Sequence, residues 1–295
     1  MMIGVFGWLR RCVDVFGWRT SRREVVVVIW GMHSPDWMNA LAANAPVWTG
    51  IPQVKAVLNR TRPGISVPLG LRWGRRVVVI PLMENHYAEC PTGYSGLLPS
   101  LNAIEILGNK ARFADYVRRH GLAAWCPGNY ASFEKATFPC VLKRTNLNAG
   151  RGVEIATSPD EARHFSSQEL FAGHAYLIQA LVPCTIQYVV HCVCVEGRIV
   201  WHVVYAYDFN RQEVMRANYL YALRRATISA SMLRKLEAFV MPLAYSGPCS
   251  VDCTWDDDGG LMVFEINPRL GGSLMRPENT TDLAACLSVI IAHAV

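Results

Sequence analysis

The residues that most limit what this chain can fold into are Gly247 to Ser273, GPCSVDCTWDDDGGLMVFEINPRLGGS. They read as two short strands, Cys249–Trp255 and Leu261–Asn267, joined by an Asp-Asp-Asp-Gly-Gly turn. Period-two alternation predicts Phe264 and Ile266 on one face of the second strand and Glu265 and Asn267 on the other. A hairpin brings Asp252, in the first strand, towards that polar face. Two carboxylates and an amide oxygen are hard ligands suited to Mg²⁺, which keeps several waters and binds through one or two carboxylates plus substrate phosphates. Arg269 follows directly, a rigid fork of donors matched to phosphate or carboxylate. Asp256, Asp257 and Asp258 read as an ordinary acidic surface turn. Glu265 is different, because apolar strands seldom carry an acid without a partner.

The remaining strands define the setting. Glu24–Trp30 (EVVVVIW) and Arg76–Pro81 (RVVVIP) are near-continuous apolar runs, the mark of parallel strands covered on both faces. With Val54–Asn59 between them they predict a small α/β unit of three to four parallel strands. Asp36 is the expected N-cap of a helix over Trp37–Asn44. Loops after such strands commonly bind ligands, which makes His33, Ser34 and Glu84 candidates for a substrate pocket. Helices are expected over Leu101–Leu107 and Ala111–His120, with Lys110 at the start of the second. Phe138–Arg144 (FPCVLKR) is a strand that carries Lys143, followed by TNLNAGRG and the strand Val153–Ala156. A Gly-rich turn between antiparallel strands lets backbone N–H groups close over phosphates, with Lys143 as a point charge. Ser158 caps the helix that follows. Ala175–Ala180 is a further strand, and Gln187–Val195 and Ile199–Tyr205 form an antiparallel pair. Helices over Ser231–Leu243 and Asp282–His293 complete the chain.

Composition narrows the function classes. The chain has 295 residues, 52% hydrophobic and 18% charged, with net charge +6. Arginines crowd the first third, from Arg10 and Arg11 to Arg75 and Arg76, yet no aromatic-interleaved basic motif accompanies them, so nucleic acid is not the expected partner. The five lysines are Lys55, Lys110, Lys135, Lys143 and Lys235, and their scarcity makes their positions informative. Ten cysteines lie scattered with no C-x-x-C pair, which reads as reduced thiols in a cytoplasmic setting. No apolar run approaches a membrane span. The first residues, with Trp8, Phe16 and Trp18 among arginines, are too charged for a signal-peptide core. They read as an extension or as a helix docked on the first domain, with an interfacial amphipathic helix as the alternative.

In this order the motifs resemble the ATP-grasp superfamily of ATP-dependent ligases. The resemblance runs from about Glu24 to the C-terminus and is carried by FPCVLKRTNLNAGRGVEIATSPDEA and, some hundred residues later, YSGPCSVDCTWDDDGGLMVFEINPRLGGS. It implies mixed α/β and α+β architecture: a small N-terminal parallel α/β domain, then a two-lobed ATP-grasp fold whose antiparallel sheets clasp ATP. The implied domains are an extension (1–23), the α/β domain (24–100), linking helices (101–121), a small lobe with the phosphate loop (122–182) and a large lobe with the metal site (183–295).

By resemblance, Lys110 and Lys143 contact ATP phosphates, and Asn148, Gly150, Arg151 and Gly152 form the covering loop. Gln179, Ala180, Leu181 and Val182 form the hinge that reads adenine. Gln187 stands where an acid usually meets the ribose, and Ala180 where the hinge usually carries Glu. Asp252, Glu265 and Asn267 match ligands of Mg²⁺, with Mn²⁺ as a substitute. Arg269, with Lys143, is the catalytic cation. Gly271, Gly272 and Ser273, with Glu84, are the substrate candidates. The implied activity is a carboxylate–amine ligase acting on a small-molecule acid and amine through an acyl phosphate, and the implied assembly is a homodimer. The alternatives are a kinase that stops at phosphoryl transfer and a non-catalytic nucleotide-binding module.

Overall fold

The computed structural model describes residues 24–60, 67–147, 150–208, 223–256 and 258–295. The N-terminal extension, Asn148 and Asp257 lie outside them. The described chain forms two compact units, residues 24–98 with Gly272–Val295, and Pro99–Gly271.

In the first unit, β1 (Val25–Trp30), β2 (Val54–Arg60) and β3 (Arg76–Pro81) make a parallel sheet in the order β2-β1-β3. Every residue of β1 is buried, as its unbroken apolar run requires of a central strand covered on both faces. Val26, Val28, Trp30, Val77 and Val79 share one core cluster. The first helix is shorter than expected, running Pro35–Ala40 from Ser34, because Pro35 with its fixed φ opens it and displaces Asp36 from the cap into the first turn. The C-terminal helix, Thr280–His293, which the sequence reading assigns to the large lobe, packs against the Pro46–Gly50 turn of this unit. Arg76 fastens its end by donating to the carbonyls of Ala294, at 2.8 Å, and Ile291.

The second unit holds two antiparallel sheets. The smaller has the order β4-β7-β5-β6: β4 (Asn129–Tyr130), β7 (Tyr176–Ala180), β5 (Cys140–Arg144) and β6 (Val153–Ala156). Cys140, Leu142, Ile178 and Phe171 close the core on its outer side. The larger has the order β10-β9-β8-β11-β12: β8 (Ile186–Val195), β9 (Arg198–Asp208), β10 (Leu223–Ala226), β11 (Gly247–Trp255) and β12 (Leu261–Asn267).

One face of the large sheet, through Val190, Cys192, Val204 and Val251, packs on the helix Ala230–Val240 and on the linking helices Leu101–Gly108 and Lys110–Arg119. The Tyr116 hydroxyl donates to the Phe239 carbonyl at 2.8 Å within this core. Covering one face leaves the other face of each sheet to carry polar side chains.

Candidate functional site

The hairpin β11–β12 builds the site. Asp252 pairs directly with Glu265, and Ser250 with Asn267, so these side chains share one face. The register shifts between Asp252 and Cys253, whose partners are Glu265 and Val263. Phe264 is therefore the extra residue of a bulge. This corrects the simple alternation: Val263 and Ile266, three residues apart, both enter the core, and Phe264 does not join them. It turns instead towards Lys143, whose ammonium lies 5.7 Å from the ring centroid.

The acidic pair is held by hydrogen bonds and countercharges. The Asn267 amide donates to Asp252 Oδ2 at 3.3 Å and to Glu265 Oε1 at 3.4 Å. Lys110 Nζ stands 3.6 Å from Glu265 Oε2 and donates to the Leu147 carbonyl at 2.7 Å. Its position follows from the local sequence. Asn109 caps the helix by accepting from the N–H groups of Ala111 and Arg112, which leaves Lys110 as the first helical residue. The Lys110 N–H then donates to the Thr145 carbonyl at 3.1 Å.

Burial alone would push the Glu265 carboxyl upward. The Lys110 and Lys143 ammoniums, with hydrogen bonding to Asp252 and Asn267, outweigh it and hold the carboxyl well below the usual carboxylate range. Burial likewise lowers the Lys143 ammonium, against the raising pull of Glu265 and Asp252, with Lys110 adding to the lowering.

Lys110, Lys143, Gln179 and Phe264 line a cavity of about 310 Å³ that also touches Phe113 and Cys126. This is the lower end of the range for ligand cavities. Lys143 is paired with Leu177, and Val141 with Gln179, so one face of the small sheet supplies both Lys143 and Gln179. The Gln179 amide donates to Asn129 Oδ1 at 3.3 Å. The Ala180 N–H is taken by the Gly128 carbonyl at 2.7 Å. Leu181 and Val182 follow the end of β7, and Gln187 is buried on β8 opposite Tyr207.

In the turn after β5, Arg144 N–H bonds the Gly152 carbonyl at 2.8 Å, and Gly150 and Gly152 have φ of +73° and +68°. Arg151 between them is exposed. Arg269 follows β12, its N–H bonded to the Asn267 carbonyl at 2.8 Å and its Nη1 to the Leu270 carbonyl at 2.9 Å.

The substrate candidates divide between the two units. Glu84 opens a 3₁₀ turn after β3, and Gly272 and Ser273 start another, with the Ser273 carbonyl accepting from Asn279 at 2.7 Å. Gly271 ends the second unit. A methyl group there would come within 2.3 Å of the His191 ring. His191, buried on β8, pairs with Ser250 and so shares the face of Asp252, Glu265 and Asn267. Sequence reasoning passed over it. The only available signal was a single histidine in the apolar run Tyr188–Val195, which reads as core.

The donors fit a hard divalent cation. Asp252 and Glu265 offer carboxylate oxygens on one face, and turning the Asn267 amide would add its oxygen. Among the described residues, no group of three or more His, Cys, Asp or Glu is placed to hold a metal ion, so the donor set here is two carboxylates and an amide.

With two facing antiparallel sheets, a lysine from the small one and an acid pair from the large one, the comparison with solved structures is decisive for the fold. D-alanine–D-alanine ligase from Bacillus anthracis, complexed with ATP, superposes with a TM-score of 0.60 at 15% identity over 91% of this chain and 96% of that one. The chain has the ATP-grasp fold. L-amino acid ligase from Bacillus licheniformis matches with a TM-score of 0.57 at 14% identity, over 92% of this chain and 75% of that one. Phosphoribosylamine–glycine ligase from Thermotoga maritima matches with a TM-score of 0.60 at 16% identity, over 86% and 70%. No family model matches the sequence, and no curated protein matches it. Among the described residues of this ATP-grasp chain, no helix is long and apolar enough to cross a membrane.

Proposed function

We propose that this protein is an ATP-dependent carboxylate–amine ligase. The observation that carries the reading is the Asp252–Glu265 pair on one sheet face, bridged by Asn267 and flanked by Lys110 and Lys143. A Glu265 carboxylate held ionised by Lys110 and Lys143 suits a polyphosphate and its cation, and three of the solved structures that the chain resembles are ligases.

In this reading a substrate carboxylate oxygen attacks the γ-phosphorus of ATP, the bond to the β-phosphate oxygen breaks, and ADP leaves. An amine then attacks the acyl carbon, phosphate departs with its oxygen, and the nitrogen loses a proton to give the amide. Mg²⁺ held at Asp252, Glu265 and Asn267 would neutralise phosphate charge. Lys110 and Lys143 bind phosphate oxygens, and Arg269 orients the transferred group, so that positioning and electrostatics supply most of the acceleration. The turn carrying Gly150, Arg151 and Gly152 excludes water, which otherwise hydrolyses the acyl phosphate. Phe264 and Gln179 offer an apolar face and an amide to the base. For the substrates, Glu84 suits an ammonium group, and Gly271, Gly272 and Ser273 suit a carboxylate.

The test is ADP and phosphate release across panels of acids and amines. Turnover that needs both, and that disappears in Glu265→Ala, supports the ligase. A stable phosphorylated product formed without amine identifies a kinase instead. ATP that binds tightly and is never cleaved, across the whole panel, identifies a binding module.

A further inference from the structure

The first unit carries a second feature, unconnected with nucleotide chemistry. In the short helix Leu69–Arg72 and the residue after it, Leu71 packs against the core while Leu69 and Trp73 point into water, 80% and 87% exposed. They are four residues apart, with the Trp73 N–H bonded to the Leu69 carbonyl at 3.1 Å, so the two side chains lie side by side on one turn. Such a pair of large apolar groups in water is costly and marks an interaction surface.

Charge names the partner. From Trp37 to Met83 the chain contains no Asp or Glu and carries Lys55, Arg60, Arg62, Arg72, Arg75 and Arg76. Lys55 and Arg75 are paired with Glu24, and Arg76 holds the end of the C-terminal helix, so Arg72 is the charge that the turn itself presents. Arg72 is exposed beside Trp73 and leans over the Tyr94 ring, 5.7 Å from its centroid. The first 23 residues add Arg10, Arg11, Arg19, Arg22 and Arg23 against Asp14 alone, and they join the fold at Glu24, which holds Arg75 at 2.8 Å. Both basic segments are attracted to the same anionic surface.

We propose that the Leu69–Trp73 turn docks the protein on an anionic lipid bilayer. Leu69 and Trp73 enter the headgroup boundary, where an aromatic ring with a polar edge is favoured, and the exposed Arg72 meets lipid phosphates. A projecting apolar pair suits a deformable lipid surface.

The experiment is co-sedimentation of the full chain with vesicles of phosphatidylcholine alone and of phosphatidylcholine with phosphatidylglycerol, at low and high salt. The expected result is binding that requires phosphatidylglycerol, weakens with salt, and falls about tenfold or more when Leu69→Ser and Trp73→Ser are combined. Because both side chains are exposed, the double variant should melt as the parent does. Brominated lipid should quench the parent's tryptophan fluorescence more than that of Trp73→Phe. Absence of binding to phosphatidylglycerol vesicles overturns the proposal. So does equal binding by the double variant, which assigns the membrane to the N-terminal segment. Tighter binding to duplex DNA, or a dimer that the double variant dissociates, also overturns it by naming a different occupant.

Discussion

Lys110 stands 3.6 Å from the Glu265 carboxylate while its ammonium donates to the Leu147 carbonyl at 2.7 Å. One side chain therefore ties the acid pair of the large sheet to the chain leaving β5, where the turn proposed to cover the phosphates begins. Removing the ammonium loosens the turn and leaves Glu265 with Lys143 as its cation. Lys110→Ala should weaken Mg-ATP binding about tenfold to a hundredfold, measured by calorimetric titration, since charge-assisted contacts of this kind are worth about 1.5–3 kcal/mol. Affinity equal to the parent's would remove Lys110 from the phosphate site.

Asp252 and Glu265 face each other across β11 and β12, so neutralising either one removes an oxygen that the proposed cation site needs. Asp252→Asn and Glu265→Gln should each lower ADP release by roughly a hundredfold to a thousandfold, the usual cost of removing one electrostatic stabiliser. Glu265→Gln should also lower the melting temperature, because it removes the carboxylate that faces Lys110 and Lys143. Chelation of divalent metal should abolish turnover of the parent and leave its fold intact.

Gly152 and Gly150 make a paired test of the turn after β5. At Gly150 a methyl group meets nothing within 4 Å, so Gly150→Ala should cost only the left-handed backbone, about 1–2 kcal/mol. At Gly152 the methyl also comes within 2.6 Å of Arg144 Cγ and 2.7 Å of its Cβ. Gly152→Ala should therefore be the more destabilising of the two in urea unfolding.

Gly271 lies flat against the His191 ring. Gly271→Ala should cost about 1–3 kcal/mol through overpacking, and His191→Ala should recover most of that in a double-mutant cycle. Additive effects would show that the ring moves aside freely.

His86 gives the first unit a pH dependence. Its Nδ1 accepts from the Met83 N–H at 3.2 Å, and the ring fills the space beside Gly31. Burial lowers its pKa, only partly offset by Glu89 and Glu84. The folded state thus binds fewer protons than the unfolded one, so the contribution is complete above the ordinary histidine value of about 6.5 and is lost as pH falls through the lower folded value. Acid unfolding of the parent should begin in that window, and His86→Gln should flatten it.

Much of this was legible in the chain. Five valines and isoleucines in succession in Val25–Trp30 admit little but a strand buried on both faces, and Ser158 announces a helix start through a local hydrogen bond. That a hairpin brings Asp252 towards the face of Glu265 and Asn267 followed from the two strands and the turn between them, while the register came from the fold. Local patterning carries such features because the partners are neighbours in sequence or share one turn.

Other features needed the fold. Alternation misassigned Phe264, because a bulge is set by how two strands and a core settle their register, and no period within one strand reveals it. His191 looked like core until β8 was paired with β11, which put it in the same row as Ser250. The C-terminal helix carries no mark of its destination; Arg76, more than two hundred residues earlier, fastens it by donating to its carbonyls. The amino-acid order determined which segments are strands, helices and charged turns, since those depend on local sterics and apolar spacing. Tertiary structure alone decided which lysine faces which carboxylate, because those contacts join residues far apart in the chain and form only where packing brings their elements together.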